Sequence, residues 1–205
     1  MADTPSGDRW VAVCGDTGAS PAALAEVEHR LLDLGRRVGA TEVATHVVRA
    51  DGTGHHAGSL RVPAPDGLAG ALAGWARPGE SVVLSGDDGP DDGGGDVALG
   101  DPAHAGHAAD VARAHRARTS GRLVRFPGQD GLPDRFPLAE LTTRCAVEAV
   151  HLLGVADDPA LVLRTRGHVR PEFRDGVLVL VVNAWDDREV CPFEPPVQRE
   201  CCADH

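Results

Sequence analysis

Short apolar runs alternate with segments of helical periodicity along most of this chain, and this alternation constrains the fold more than any other feature. Residues 9–15, 42–49 and 81–85 are apolar runs that predict strands. A helix is predicted after the first run, because Ser20 before Pro21 fits an N-cap and Gly39 fits a C-terminal stop. Alternating strands and helices are typical of a parallel sheet covered by helices. We therefore expect an α/β sandwich with about four parallel strands.

The remaining segments extend this expected fold. The predicted helices lie at 66–77, from 101 to 115 and at 138–153, and the last of these is apolar and carries Cys145. The predicted strands are an edge strand at 59–62 and a strand at 122–126. The predicted loops are a polar loop at 51–58, which carries His55 and His56, and a flexible Gly- and Asp-rich loop at 86–96. Later runs at 161–166, 176–183 and 188–193 predict an antiparallel β-ribbon. The expected division is an α/β domain over 9–154, a ribbon extension over 155–194 and a Cys-rich tail over 195–205.

Composition and charge exclude several classes of partner. The formal net charge is −11, and all 20 basic residues are arginine, so neither nucleic acid nor a membrane surface is an expected partner. The N-terminal residues lack the pattern of an export signal, and no apolar run approaches the roughly 20 residues of a membrane span. We therefore expect a cytoplasmic protein, in which clustered cysteines are metal or redox groups and not disulfides.

The last fifteen residues form the first candidate site. Cys191, Cys201, Cys202 and His205 offer three thiolates and one imidazole, which suit zinc, cuprous ion or an iron–sulfur cluster, although paired C-x-x-C motifs are absent. We expect these residues to bind one metal centre per chain or to share a cluster across a homodimer. The alternatives are a tail with incidental thiols, and thiol redox or sulfur-carrier chemistry at Cys201 or Cys202.

A second candidate site lies in the helix predicted from residue 101. His104, His107 and Asp110 follow one another at three-residue steps and would share a helical face. Such a group predicts a metal or proton-transfer site, although surface histidines on an alanine-rich helix are the alternative. The loop at 15–20 lies where phosphate-binding loops lie, but it lacks their lysine, so a tight turn is favoured.

Residues 9 to 150 resemble the class II tetrapyrrole chelatases, which insert cobalt or iron into sirohydrochlorin. The matching segments are Ser20-Pro-Ala-Ala-Leu-Ala-Glu26 after the first strand, Gly106-His107-Ala-Ala-Asp110-Val111, and Gly121-Arg-Leu-Val-Arg125. The resemblance implies a flavodoxin-like sandwich, a tetrapyrrole substrate and a homodimer, with His104 and His107 stripping pyrrole protons and delivering the metal. That family has a histidine after its first strand in an H-G-S-R pattern, and Cys14-Gly15 holds this position here.

The C-terminal sequence, Cys201-Cys-Ala-Asp-His205, resembles the ending of uncharacterised actinobacterial proteins and implies no activity. The sequence therefore predicts a metal-handling protein. Three hypotheses remain open: a chelatase-like enzyme, a non-enzymatic metal- or cluster-binding protein, and a thiol redox or sulfur-carrier protein. A small-molecule sensor is a fourth.

Overall fold

The computed structural model describes residues 7–18, 20–50, 53–63, 68–86 and 96–196. The strands in these residues are β1 (Arg9–Gly15), β2 (Glu42–Ala50), β3 (Thr53–Val62), β4 (Glu80–Ser85), β5 (Val97–Gly100), β6 (Arg122–Arg125), β7 (Arg135–Pro137), β8 (Ala149–Leu153), β9 (Val162–Arg164), β10 (Glu172–Arg174), β11 (Val177–Asp186) and β12 (Glu189–Pro192). The α-helices are α1 (Pro21–Val38), α2 (Leu68–Leu72), α3 (Ala105–Arg116) and α4 (Leu141–Arg144). Three 3-10 helices are found at Pro102–His104, Gln129–Gly131 and Leu138–Glu140.

All twelve strands of the described residues join one sheet, in the order β5-β4-β1-β3-β2-β6-β10-β11-β12-β9-β7, with β8 added to β11. The pairs β8–β11 and β9–β12 are parallel, and every other strand pair in the described ranges is antiparallel. The fold is a mixed, mostly antiparallel sheet with short helices. The predicted parallel sheet between two helical layers is therefore wrong.

Strand β3 accounts for much of this difference. It lies between β1 and β2 and is antiparallel to both, although its first half was predicted to be a loop and its second half an edge strand. The segment looked like a loop because Gly54, His55, His56 and Gly58 interrupt its apolar pattern. The order β4-β1-β3-β2, with helices after β1 and β3, is the split β-α-β connectivity of ferredoxin-like motifs.

Helix α1 packs on one face of the sheet, mainly against β2 and β3, and begins and ends as the sequence predicts. The Ser20 hydroxyl accepts a hydrogen bond from the Ala23 N–H at 3.1 Å, and Gly39 ends the helix in the left-handed region at φ 68°. Leu31 is fully buried and lies directly over Gly58 of β3. A Cβ atom at Gly58 would lie 2.1 Å from a Leu31 methyl carbon, so glycine allows α1 to approach the sheet.

Helix α3 covers the opposite face. Its Ala108 and Ala112 are fully buried against the small residues Ala12 of β1 and Ala57 of β3, and these short side chains let the helix lie close to the sheet. Trp10, Cys14, Val83 and Val111 complete this cluster. The inward face of α3 therefore lies above β1 and β3.

The start of α3 is fixed to strand β4. Gly100 has φ 89°, and a Cβ atom there would lie 2.2 Å from the Glu80 carbonyl oxygen, so the turn requires glycine. The Asp101 N–H donates to that carbonyl at 2.8 Å, and the Asp101 carboxylate accepts from the Ala103 N–H at 2.9 Å. Together these contacts set where His104 emerges from its 3-10 turn.

The later strands enclose a second core. It contains the large apolar residues Phe126, Phe136, Leu141, Leu163, Phe173, Leu178, Leu180, Val182 and Val190. The helix predicted at 138–153 is wrong, because this segment forms a 3-10 turn, the short helix α4 and strand β8. Periodicity alone does not separate a buried strand from a helix in such an apolar run. The helix predicted at 66–77 is reduced to α2 in the described residues.

The predicted ribbon is confirmed where β11 pairs antiparallel with β12. The first of its predicted strands differs, because β9 lies parallel to β12.

Residues 87–95 of the predicted flexible loop lie outside the described residues, and the three-part domain division stays a prediction. None of the helices in the described residues combines the length and apolar character that a membrane crossing requires.

Candidate metal centre

Cys14, His104 and His107 come together between the sheet and the start of α3. Each offers one ligand atom, and the three atoms all lie within 4.8 Å of one another. Cys14 is only 2% exposed, whereas the two histidines are partly accessible. Among the described residues, this is the one group of three or more His, Cys, Asp and Glu side chains arranged in this way. The group could hold a metal ion.

Local structure explains how three residues from two distant segments meet. Trp10, Ala12 and Cys14 alternate along β1 and face α3, so the thiol points towards the helix. His104 ends the 3-10 turn that Asp101 caps, and His107 lies in the first turn of α3. The turn between β5 and the 3-10 helix, which is hydrogen-bonded to Glu80 of β4, thus brings both imidazoles over the end of β1.

Burial controls the chemistry of the Cys14 thiol. Burial raises the pKa of Cys14 to about 11, a backbone hydrogen bond at Gly15 opposes this change, and the nearby charge of Asp16 adds to it. The thiol is therefore neutral at neutral pH and a poor nucleophile. A bound cation would supply the positive charge that stabilises a thiolate here.

Asp16 and His55 lie beside the three residues. The Asp16 Oδ1 atom is 3.8 Å from His104 Nε2 and 3.8 Å from His55 Nδ1. The Asp16 side chain is 79% exposed, whereas the side chains of His55 and His104 are each 19% exposed. Asp16 therefore forms the solvent side of the cluster, and Cys14 forms its buried floor.

The loop that carries Asp16 is attached to β3. The Thr17 hydroxyl donates to the His56 carbonyl at 2.6 Å, and the His56 N–H donates to Gly18 O at 3.1 Å. The Thr17 N–H also donates to Gly15 O at 2.8 Å, which closes a tight turn. These bonds hold Asp16 at the edge of the cluster.

Comparison with protein-family models, with curated proteins and with solved structures finds no match to this chain. Its function therefore has to be inferred from the geometry and chemistry of its own residues.

The structure does not place Asp110 with the two histidines. Asp110 is exposed and pairs with Arg113 on the same helix. His107 and Asp110 both lie on α3, where a three-residue step turns by about 300°, so Asp110 is rotated by about 60° from His107 and lies on the solvent side. A catalytic role for these residues stays a prediction.

The predicted tail site is represented by one described residue. Cys191 is buried on β12, and its thiol donates to Asn183 Oδ1 at 3.3 Å. Cys201, Cys202 and His205 lie outside the described residues, so the tail metal site stays a prediction.

Cys145 lies just after α4. Its thiol donates a hydrogen bond to Leu141 O at 3.4 Å, and burial raises the pKa of this thiol.

A second polar cluster lies under the other end of α3 and resembles a serine–histidine–carboxylate triad. The Ser59 hydroxyl is 2.8 Å from His115 Nδ1, and His115 Nε2 is 3.0 Å from Glu42 Oε2. The same hydroxyl is 2.7 Å from His46 Nε2. Ser59 is completely buried and bonded on both sides, so its hydroxyl is not accessible to a substrate. We interpret this cluster as a structural hydrogen-bond network.

A third cluster anchors the end of the described chain. Arg122 pairs with both Glu28 of α1 and Glu194, and His168 lies 3.4 Å from Glu194 Oε1. Burial alone would raise the pKa of Glu194, but hydrogen bonds from His168 and Arg122 lower it to about 2. These ion pairs join α1, β6 and the segment after β12.

Sequence reasoning matched His104 and His107 to a possible site but did not make Cys14, Asp16 and His55 part of it. Cys14 appeared only as the residue at the chelatase family's histidine position. The alternation Trp10, Ala12, Cys14 places the thiol on one face of β1, and this signal was readable. The sequence does not predict His55 as a neighbour of this site, because it predicts a loop over 51–58, where β3 begins.

Proposed function

We propose that this chain binds a divalent transition metal ion through Cys14, His104 and His107. The observation that supports this proposal most strongly is the convergence of a thiol and two imidazoles, from two segments far apart in sequence, within 4.8 Å. Tetrahedral Zn²⁺ keeps sulfur and nitrogen ligands about 3.3–3.6 Å apart, given its bond lengths of about 2.0–2.3 Å. Side-chain rotations that move the ligand atoms by roughly 1 Å would bring all three within bonding distance of one ion.

The ligand set favours zinc over an iron–sulfur cluster at this position. One thiolate with two imidazoles suits Zn²⁺, whereas clusters are held by several cysteine thiolates. The neutral Cys14 thiol also makes redox chemistry at this residue unfavourable without a metal ion. Cluster binding stays a prediction for Cys191, Cys201 and Cys202, and thiol redox or sulfur-carrier chemistry stays a prediction for Cys201 or Cys202.

Metal transfer to a tetrapyrrole stays a hypothesis. Cys14 and His107 occupy the two regions that the chelatase resemblance singled out, and these regions meet in space. Strands β1, β3, β2 and β4 pair antiparallel, so these four strands do not form a parallel sheet whose carboxyl ends would provide a binding crevice. A homodimer is likewise a hypothesis that rests on the resemblance alone.

Cobalt titration of the metal-free, full-length protein tests the proposed site. Co²⁺ coordinated by a thiolate gives a charge-transfer absorption band. In the double variant Cys201→Ser with Cys202→Ser, which lacks the tail thiols, we expect this band to saturate at one Co²⁺ per chain. Cys14→Ser should remove this band. The double variant His104→Ala with His107→Ala should weaken binding by more than the roughly 10–100-fold that loss of an outer-shell partner costs.

Two control variants match these changes. Cys145→Ser removes a thiol that bonds within its own helical turn, and His151→Ala removes an exposed histidine on β8. Both should bind Co²⁺ as the unmodified chain does. A thiolate band that survives Cys14→Ser and disappears with Cys201→Ser and Cys202→Ser would contradict the proposal and move the site to the tail.

A further inference from the structure

The candidate metal centre has three protein ligands in the described residues, whereas a structural zinc site has four. Asp16 adds a nearby carboxylate, since its Oδ1 atom lies 3.8 Å from His104 Nε2. It nevertheless does not belong to the group whose ligand atoms all lie within 4.8 Å of one another. Asp16 is therefore beside the expected metal position and not at it.

The direction of the fourth coordination position follows from exposure. Cys14 is buried in the sheet face, and His104 and His107 lie on the helical side. Asp16 is the most exposed of these residues, so the side of the cluster towards Asp16 is the side open to solvent. An ion held by the three ligands would keep a coordination position facing Asp16.

We propose that this centre is an open metal site whose fourth ligand is a small exchangeable protic molecule, with water in the resting state. This inference rests on the proposed function. Asp16 accepts a hydrogen bond from that ligand and so acts as a positioning residue, and His55 Nδ1 lies 3.8 Å from the same Asp16 oxygen that approaches His104. Open sites of this kind activate water or accept an incoming ligand, whereas closed four-ligand sites stabilise a fold.

The charge of Asp16 distinguishes protic ligands from anions. A carboxylate beside the open position stabilises a ligand that donates a hydrogen bond and repels one that carries negative charge. Because Asp16 is largely exposed, solvent and salt screen this repulsion, and its effect is modest. Azide, an anionic ligand of cobalt and zinc, therefore reports both whether the position is open and whether Asp16 faces it.

The experiment adds azide to the Co²⁺-loaded, full-length protein and records its visible spectrum. We expect saturable binding of one azide per cobalt. Asp16→Asn, which keeps the shape and removes the charge, should bind azide about two- to fivefold more tightly at low salt, as expected for an exposed charge. The difference should shrink at high salt. Asp33→Asn, which removes a partly exposed carboxylate on α1 that pairs with Arg37, should leave azide affinity unchanged.

Three results would overturn the inference in different ways. A cobalt spectrum unaffected by saturating azide would mean a closed site. A changed cobalt spectrum in Asp16→Asn before azide is added would mean that Asp16 is itself a metal ligand. Equal azide affinities in Asp16→Asn and the unmodified chain would remove the positioning role. Failure to bind Co²⁺ at all would instead contradict the proposed function, so the two failures are distinguishable.

Discussion

His46 shows how a single buried residue links this structure to pH. It is 7% exposed, and its ring nitrogens lie 2.7 Å from Ser59 Oγ and 3.3 Å from Ser120 Oγ. Burial, with a smaller contribution from His115, lowers the pKa of His46 from 6.5 to about 3. The folded protein therefore keeps His46 neutral at pH values where the unfolded chain is protonated.

We predict that the free energy of unfolding falls as the pH is lowered through this window. Between about pH 6.5 and pH 3 the unfolded state binds a proton at His46 that the folded state does not, so acid favours unfolding. The share due to His46 should be on the order of a few kcal/mol. His46→Gln should be less stable at pH 7 but should lose less stability down to pH 4 in urea denaturation.

The control for this prediction is His151→Gln, which changes an exposed histidine and should leave the pH dependence unaltered. Glu42 also contributes, because hydrogen bonds from His115 and Arg61 lower its pKa against the effect of burial. The stabilisation from Glu42 is fully present above its ordinary pKa of 4.5 and is lost as the pH falls below that value, so the slope above pH 5 reports histidine. Curves of equal slope for His46→Gln and the unmodified chain would contradict the account.

At the scale of elements, the close approach of helix α1 to strand β3 depends on Gly58. We predict that Gly58→Ala destabilises the protein by about 1–3 kcal/mol, because the added methyl group would overlap Leu31. Gly70→Ala on α2 is the matched change, since nothing lies within 4 Å of its Cβ position. That variant should be neutral or slightly stabilising. Thermal unfolding of both proteins measures the difference, and equal losses would contradict the packing described for α1.

Elements with strong local signals were predictable from the sequence. Helix α1 has an N-cap, a proline in its first turn and a glycine stop, and strands β1 and β4 are buried apolar runs. Strand β3 and strand β8 were missed because their strand character depends on pairing with residues far away in sequence. β3 is a strand despite its glycines and histidines because β1 and β2 bond it on both edges.

At the scale of the whole molecule, strand direction was the least predictable property. A helix between β1 and β2 suggested a parallel sheet, and β1 and β2 do run in the same direction, but β3 separates them. This arrangement also places His55 of β3 next to Asp16, at the Cys14 end of β1 and beside the candidate metal centre. The sequence therefore indicated His104 and His107, whereas their partner Cys14 required the three-dimensional fold.

The central claim is that Cys14, His104 and His107 bind one metal ion. The most direct measurement is anomalous diffraction at the zinc absorption edge from crystals of the full-length protein grown with Zn²⁺. The account predicts a zinc peak about 2.3 Å from the Cys14 sulfur and about 2.0–2.1 Å from one ring nitrogen of each histidine. A structure with no zinc at these three residues, and zinc bound by Cys201 and Cys202 instead, would contradict it.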